Sequence, residues 1–122
     1  MGLDQYAYAR SHDQNPEDVE PAFVWRKHAK LQTWAENLFE EKTGQSAIDL
    51  NCNELALDAE GISNLKAMIK AGDLPESSGG FFYGHQFQIE AAKEYREQDL
   101  EFCDWALAQL KDGQSVYYSC WW

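Results

Sequence analysis

The densest group of chemically capable side chains is the run Trp25, Arg26, Lys27 and His28. Arg26 and Lys27 fall at the start of a predicted helix, where the positive end of the helix dipole disfavours cations unless an anion is close by. Exposed amides, the Arg26 guanidinium and the His28 imidazole would together suit a small anionic ligand. The alternative is structural: Arg26 pairs with a nearby carboxylate while Trp25 covers the core.

A glycine-flanked aromatic segment at residues 80–85 supplies the other half of the candidate site. It contains Tyr83 and His85, and its composition predicts a structured loop. We expect this loop to face Trp25, Arg26 and His28 across a cleft near the sheet edge. The alternative for His85 is an ordinary hydrogen-bonded loop histidine.

An enzymatic interpretation uses His28, His85 and the carboxyl group of Asp4. Imidazole and carboxylate groups suit proton transfer, so a small hydrolase or transferase would need these three side chains to converge. The sequence has no Gly-x-Ser-x-Gly elbow and no phosphate-binding loop, and the glycines at 79 and 80 fit ordinary turn chemistry. We therefore favour a non-enzymatic binding protein, with the enzyme as the alternative.

Neither a metal nor a cofactor is predicted. The three cysteines, at positions 52, 103 and 120, match no zinc pattern and no Cys-x-x-Cys pair. The chain also lacks a signal peptide and any apolar run long enough to span a membrane. We therefore expect reduced, mostly buried thiols in a cytoplasmic protein.

The charge balance is strongly acidic, with 21 Asp and Glu against 10 Lys and Arg and a net charge of −11. This field repels phosphate backbones and anionic membrane surfaces, so we expect neither non-specific nucleic-acid binding nor membrane binding. Solubility alone explains such a balance. A sharper interpretation is an acidic decoy that inhibits a basic host protein.

Both ends of the chain have strand-like patterns. Residues 2–10 alternate, with Leu3, Ala7 and Ala9 on one face and a polar and aromatic set on the other, namely Asp4, Tyr6, Tyr8 and Arg10. The chain ends in the apolar run 116–122, which would be an aggregation hazard in water. We therefore predict that the two ends are neighbouring strands of one sheet.

Helical periodicity occupies most of the remaining sequence. It predicts helices over about 24–43, 59–71 and 87–111, with a strand at about 52–57 between the first two. At ~1.5 Å per residue the third helix would be about 35 Å long, so it either bends near Glu97–Asp99 or projects onto another subunit. The prediction is a single α+β domain, residues 1–122, in the order β-α-β-α-α-β. Its largely antiparallel sheet of about three strands would be covered by three helices.

Several segments together carry a family resemblance. They are Met1–Tyr6, Trp25–His28 with Leu31 and Trp34, Leu74-Pro75, Gly80–Gly84 and Val116–Trp122. In this order they resemble a family of small, functionally uncharacterised proteins of bacteriophages and prophages. Some members carry a phosphoglycerate-kinase label, but we expect no such activity, because the chain is too short for a two-domain kinase and has no nucleotide-binding pattern.

The resemblance implies an accessory protein in the host cytoplasm and supplies no catalytic residues. We expect it to bind a protein partner or a small anionic ligand through Asp4, Trp25, Arg26, His28, Tyr83 and His85. The abundance of aromatic side chains, 17 in 122 residues, also favours a homodimer, because so many aromatics are hard to bury in a small domain.

Overall fold

The computed structural model describes residues 3–11, 13–77 and 87–122. Its sheet has four antiparallel strands in the spatial order β2-β1-β4-β3. The strands are β1 (Asp4–Arg10), β2 (Phe23–Arg26), β3 (Glu54–Leu57) and β4 (Ser115–Trp121). The predicted α+β class with an antiparallel sheet is confirmed.

Four α-helices pack on one face of this sheet. They are α1 (Ala29–Thr43), α2 (Ala59–Ala71), α3 (Gln88–Glu94) and α4 (Arg96–Lys111), with short 3₁₀ turns at Pro16–Asp18 and Ala47–Leu50. Alternate strand residues such as Ala7, Val116 and Tyr118 share one buried core with Leu31 and Phe102 of the helices. None of the helices in the described ranges is both long and apolar enough to cross a membrane.

The two chain ends pair along the whole length of β1, as predicted. Asp4 lies opposite Trp121 and Arg10 opposite Ser115, so the apolar C-terminal run forms a central strand of the sheet. Over part of their length β1 and β4 are flanked by further strands, β1 by β2 at residues 4–7 and β4 by β3 at residues 116–119. This pairing satisfies the backbone groups of the apolar run, whereas the Trp121 side chain is 62% exposed.

The structure adds one strand and divides one helix relative to the sequence prediction. Residues 23–26, partly assigned to the first helix, form β2, whose β-branched and aromatic residues suit a strand. Lys27 then takes a left-handed φ of 54° and turns the chain into α1. The long third helix is interrupted at Tyr95, just before the predicted bend at Glu97–Asp99, and becomes α3 and α4.

Both ends of α2 have the caps that the sequence indicates. Gly61 N–H donates to the Asp58 carboxylate at 2.7 Å, and Lys42 lies 3.3 Å from the same side chain. The amide hydrogen bond and Lys42 both favour the charged form and lower the pKa of Asp58 below its usual 3.8. Gly72 takes a φ of 70° and closes the helix.

Replacing this N-cap should destabilise the protein in a pH-dependent way. Asp58→Ala should lower the free energy of unfolding by about 1 kcal/mol at neutral pH. Since the folded-state pKa lies below the unfolded one, this stabilisation is present above the unfolded value and is lost as pH falls through the folded value. Urea denaturation across acidic pH measures it. Asp73→Ala, whose side chain makes no hydrogen bond in the described ranges, is the control, and an equal loss there would contradict the cap.

The three cysteines should differ sharply in reactivity. All are free thiols; Cys52 is exposed, whereas burial raises the pKa values of Cys103 and Cys120 to about 12. A thiolate is the reactive form, so a disulfide reagent should label one thiol in the native protein and all three after unfolding. Cys52→Ser should abolish the native reaction. Rapid labelling of the native Cys52→Ser protein would contradict the burial of the other two.

Candidate functional site

A buried carboxylate joins three elements of the fold. Trp25 Nε1 donates to Asp99 Oδ1 at 2.8 Å, and His28 Nε2 lies 2.7 Å from Asp99 Oδ2. All three side chains are almost inaccessible to solvent. We call this group the Asp99 cluster. Both carboxylate oxygens accept a hydrogen bond, which a buried carboxylate requires.

The backbone of His28 is held by the side chain of Gln5 on β1. Gln5 Oε1 accepts from His28 N at 2.9 Å, and Gln5 Nε2 donates to His28 O at 3.1 Å. The amide thereby pairs with the backbone much as a neighbouring strand would. Lys27 N–H also donates to Leu3 O at 2.9 Å, which anchors the left-handed turn before His28. Strand β1 therefore fixes the position at which the imidazole enters the core.

Tyr95, at the break between α3 and α4, covers the imidazole. Its ring stacks on His28 at a centroid distance of 5.2 Å, and its hydroxyl bonds the backbone N and O of Arg26. His28 Nδ1 is buried and has no hydrogen-bond partner in the described parts of the chain. Asp99 is therefore the side chain that orients the imidazole ring, and the Tyr95 ring covers one face of it.

A chain of polar side chains continues from Gln5 across the buried face of the sheet. Gln5 Nε2 also donates to the Tyr118 hydroxyl at 2.9 Å, and that hydroxyl donates to Gln32 Oε1 at 2.5 Å. Gln32 Nε2 reaches Glu36 at 3.1 Å and Cys120 Sγ at 3.4 Å. We call Gln5, Tyr118 and Gln32 the Gln5 network. It links β1, β4 and α1 by side-chain hydrogen bonds inside the core.

A cavity of about 270 Å³ lies beside the Asp99 cluster. It opens between the start of α1, the end of α2 and the junction of α3 and α4. Its apolar walls are Ile69, Leu74, Ile89 and Ala92, and its charged lining residues are Lys30, Lys93, Arg96 and Asp99. Ile89, Ala92 and Lys93 lie on one face of α3, and Arg96 begins α4 after the interruption at Tyr95.

The cations of this cavity make no ion pairs in the described ranges. Arg10, Lys42 and Lys66 each have a carboxylate partner, but Lys30, Lys93 and Arg96 have none. The nearby Asp99 carboxylate accepts from Trp25 and His28, and no Lys or Arg side chain of the described ranges lies within ion-pair distance of it. Lys70 and Lys111 also have no carboxylate partner in these ranges, but the cavity cations differ from them because all three surround one apolar cavity.

The predicted site residues are only partly brought together. Trp25 and His28 meet, through Asp99, inside the core. Arg26 is exposed on the edge strand β2 and lies opposite Asp4 on β1. Asp4 alternates with core-facing Gln5, so it projects from the other face of the sheet, away from His28. Tyr83 and His85 lie outside the described residues, as does most of the predicted aromatic loop.

The carboxyl partner of His28 is therefore Asp99 and not Asp4. A sequence signal for Asp99 exists, because it shares the i, i+3, i+4, i+7 spacing of the buried stripe Phe102, Cys103 and Ala106. A carboxylate on a buried helical stripe needs a buried donor, and Trp25 and His28 are suitable donors. The sequence gives a weaker indication of the cavity cations, because exposed Lys and Arg residues are common on helices.

Comparison with protein-family models, with curated proteins and with solved structures finds no match for this chain.

The Asp99 cluster should contribute far more to stability than an exposed ion pair on the same helix. Asp99→Ala leaves the buried Trp25 indole and His28 imidazole without their partner and should lower the free energy of unfolding by about 3 kcal/mol. Asp104→Ala removes the exposed pair with Lys66, 2.6 Å long, and should cost less than about 1 kcal/mol. Both variants place alanine in α4, so helix propensity cancels in the urea-denaturation comparison. Equal losses would show that the cluster contributes no more than a surface pair.

Proposed function

We propose that this protein binds a small amphipathic anion in the cavity beside the Asp99 cluster. The observation that carries the proposal is the grouping of Lys30, Lys93 and Arg96, all without a carboxylate partner in the described ranges, around apolar walls. Unpaired cations beside an apolar surface suit a ligand with an anionic head and an apolar body. A binding function, without catalysis, is thus the one that the geometry supports best.

The two parts of such a ligand would meet different elements. Ile69 and Leu74, at and after the end of α2, offer a half-buried or buried apolar wall, whereas Lys93 and Arg96 are exposed at the opening. An anionic head would therefore lie near the α3–α4 junction and the apolar body near α2. The Asp99 carboxylate is occupied by donors from the core, so its role is to position Trp25, His28 and α4. The accessory, phage-type role implied by the resemblance is compatible with ligand binding of this kind.

Octanoate is a suitable first probe, because it combines a carboxylate with a short alkyl chain. Isothermal titration should show octanoate binding to the wild-type protein. Lys93→Gln and Arg96→Gln should each weaken binding about fivefold, since each removes one charge-assisted contact. Octanamide has nearly the same shape without the charge and should bind at least about tenfold more weakly.

Lys111→Gln is the matched control for these substitutions. It removes an unpaired cation from the other end of α4, 15 residues after Arg96 and therefore about 22 Å away along the helix. Its octanoate affinity should stay within about twofold of wild type. No octanoate binding by the wild-type protein, equal binding of octanamide, or an equal loss in Lys111→Gln would each contradict the proposed site.

A further inference from the structure

The sheet face opposite the helices carries a row of aromatic side chains. Strand alternation places Tyr6 and Tyr8 of β1 and Tyr117 and Trp121 of β4 on this outer face. The rings of Tyr8 and Tyr117 stack at a centroid distance of 5.7 Å. Trp121 is 62% exposed, and Val24 on the neighbouring edge strand is 52% exposed. No α-helix of the described ranges lies over these residues, but the segment 15–21 covers part of the face, where Glu17, Val19 and Pro21 adjoin Tyr6 and Tyr8.

A hollow forms in this row because the residue at its centre is small. Ser119 on β4 lies between Tyr6 of β1 and Glu54 of β3 in the strand register. The hollow is about 500 Å³ in volume and is lined by Tyr6, Tyr8, Trp121, Ser119, Glu17 and Glu54. Three aromatic rings and two carboxylates form much of its lining, and Asn15, Cys52, Asn53 and Cys120 complete it. It shares no lining residue with the cavity of the proposed function.

The chain itself shows that this face accommodates a cation. The Arg10 guanidinium lies 4.4 Å from the centre of the Tyr117 ring and forms an ion pair with Glu54 at 3.0 Å. The Tyr8 hydroxyl also donates to Glu54. Burial of the phenol and the neighbouring Glu54 carboxylate raise the pKa of Tyr8, so the phenol stays neutral and keeps its donor. Glu54 is therefore already neutralised by Arg10.

Glu17 is the carboxylate of the hollow that has no such partner. It belongs to the 3₁₀ turn Pro16–Asp18, and its side chain makes no ion pair or hydrogen bond in the ranges that the structure describes. Asp18 and Glu20 follow it on an exposed, acidic segment. An aromatic hollow with a free carboxylate at its rim fits an organic cation, which gains from the ring faces and from the charge.

We propose that the hollow over Ser119 binds a Lys or Arg side chain of a basic polypeptide. A polypeptide suits the surface better than a free small cation, because the exposed apolar area continues past the hollow to Val24 on the edge strand, which is 52% exposed. Charge complementarity points the same way, since the whole chain carries −11 and the rim of the hollow is acidic. The proposal requires only the sheet and the 3₁₀ turn, and it is independent of ligand binding among the helices.

The test is fluorescence polarisation with a labelled peptide of alternating Lys and Gly residues. The wild-type protein should bind it, and Trp121→Ala and Glu17→Gln should each weaken binding about fivefold. Trp121→Phe keeps an aromatic face and should restore most of the affinity. Phe87→Ala removes an equally exposed aromatic residue elsewhere, and Glu40→Gln an exposed carboxylate on α1; both should stay within about twofold of wild type.

Three further outcomes discriminate between occupants. The same peptide with acetylated lysines should not bind, and retained binding would show apolar docking in place of cation recognition and overturn the proposal. Equal affinity for spermidine would overturn the choice of a polypeptide. Equal losses in Trp121→Ala and Phe87→Ala would show that the hollow has no special role. If Trp121→Ala fails to fold by circular dichroism, Glu17→Gln against Glu40→Gln gives the decisive comparison.

Discussion

The hydrogen bonds of the Asp99 carboxylate connect the helical layer to the sheet. The carboxylate accepts from Trp25 on β2 and from His28 at the entrance to α1, while belonging to α4 itself. A buried carboxylate costs several kcal/mol to desolvate, and it is tolerated only where both oxygens are satisfied. The pairing therefore adds little net stability over a well-packed apolar core. Its stronger effect is on specificity, since a packing that separated α4 from Trp25 and His28 would leave these three buried polar groups without their partners.

The shape of the cavity depends on these hydrogen bonds. Asp99 holds the first turns of α4 against His28, and Tyr95, one residue before α4, caps the same imidazole and the backbone of Arg26. The helical run is interrupted at Tyr95, and Lys93 and Arg96, on either side of the interruption, line the cavity. Two of the three cavity cations therefore lie beside the interruption.

The parts of this fold that sequence could predict are those dictated by local pattern. The alternation of Asp4, Tyr6, Tyr8 and Arg10 and the two caps of α2 follow from neighbouring residues, and the pairing of the terminal strands follows from the strand-like patterns at both ends. Strand β2 is not predicted because Phe23–Arg26 runs directly into a strong helical pattern, and the turn at Lys27 contains no glycine. The enzymatic alternative requires Asp4 near His28, whereas Asp99 lies there; 71 residues separate His28 from Asp99, and only helix packing brings them together.

The register between β1 and β4 determines which side chains enter the core and which lie on the outer face of the sheet. Gln5 and Tyr118 point into the core and bond each other, while their neighbours Tyr6 and Ser119 point outward and form the hollow. A slip of one residue would reverse every side chain, which would bury Tyr6 and expose Gln5. An apolar core by itself makes such a slip unfavourable in free energy. The Gln5 network makes it more unfavourable, because Gln5, Tyr118 and Gln32 would lose their hydrogen-bond partners. The buried polar residues of this small sheet therefore specify the arrangement of the exposed ones.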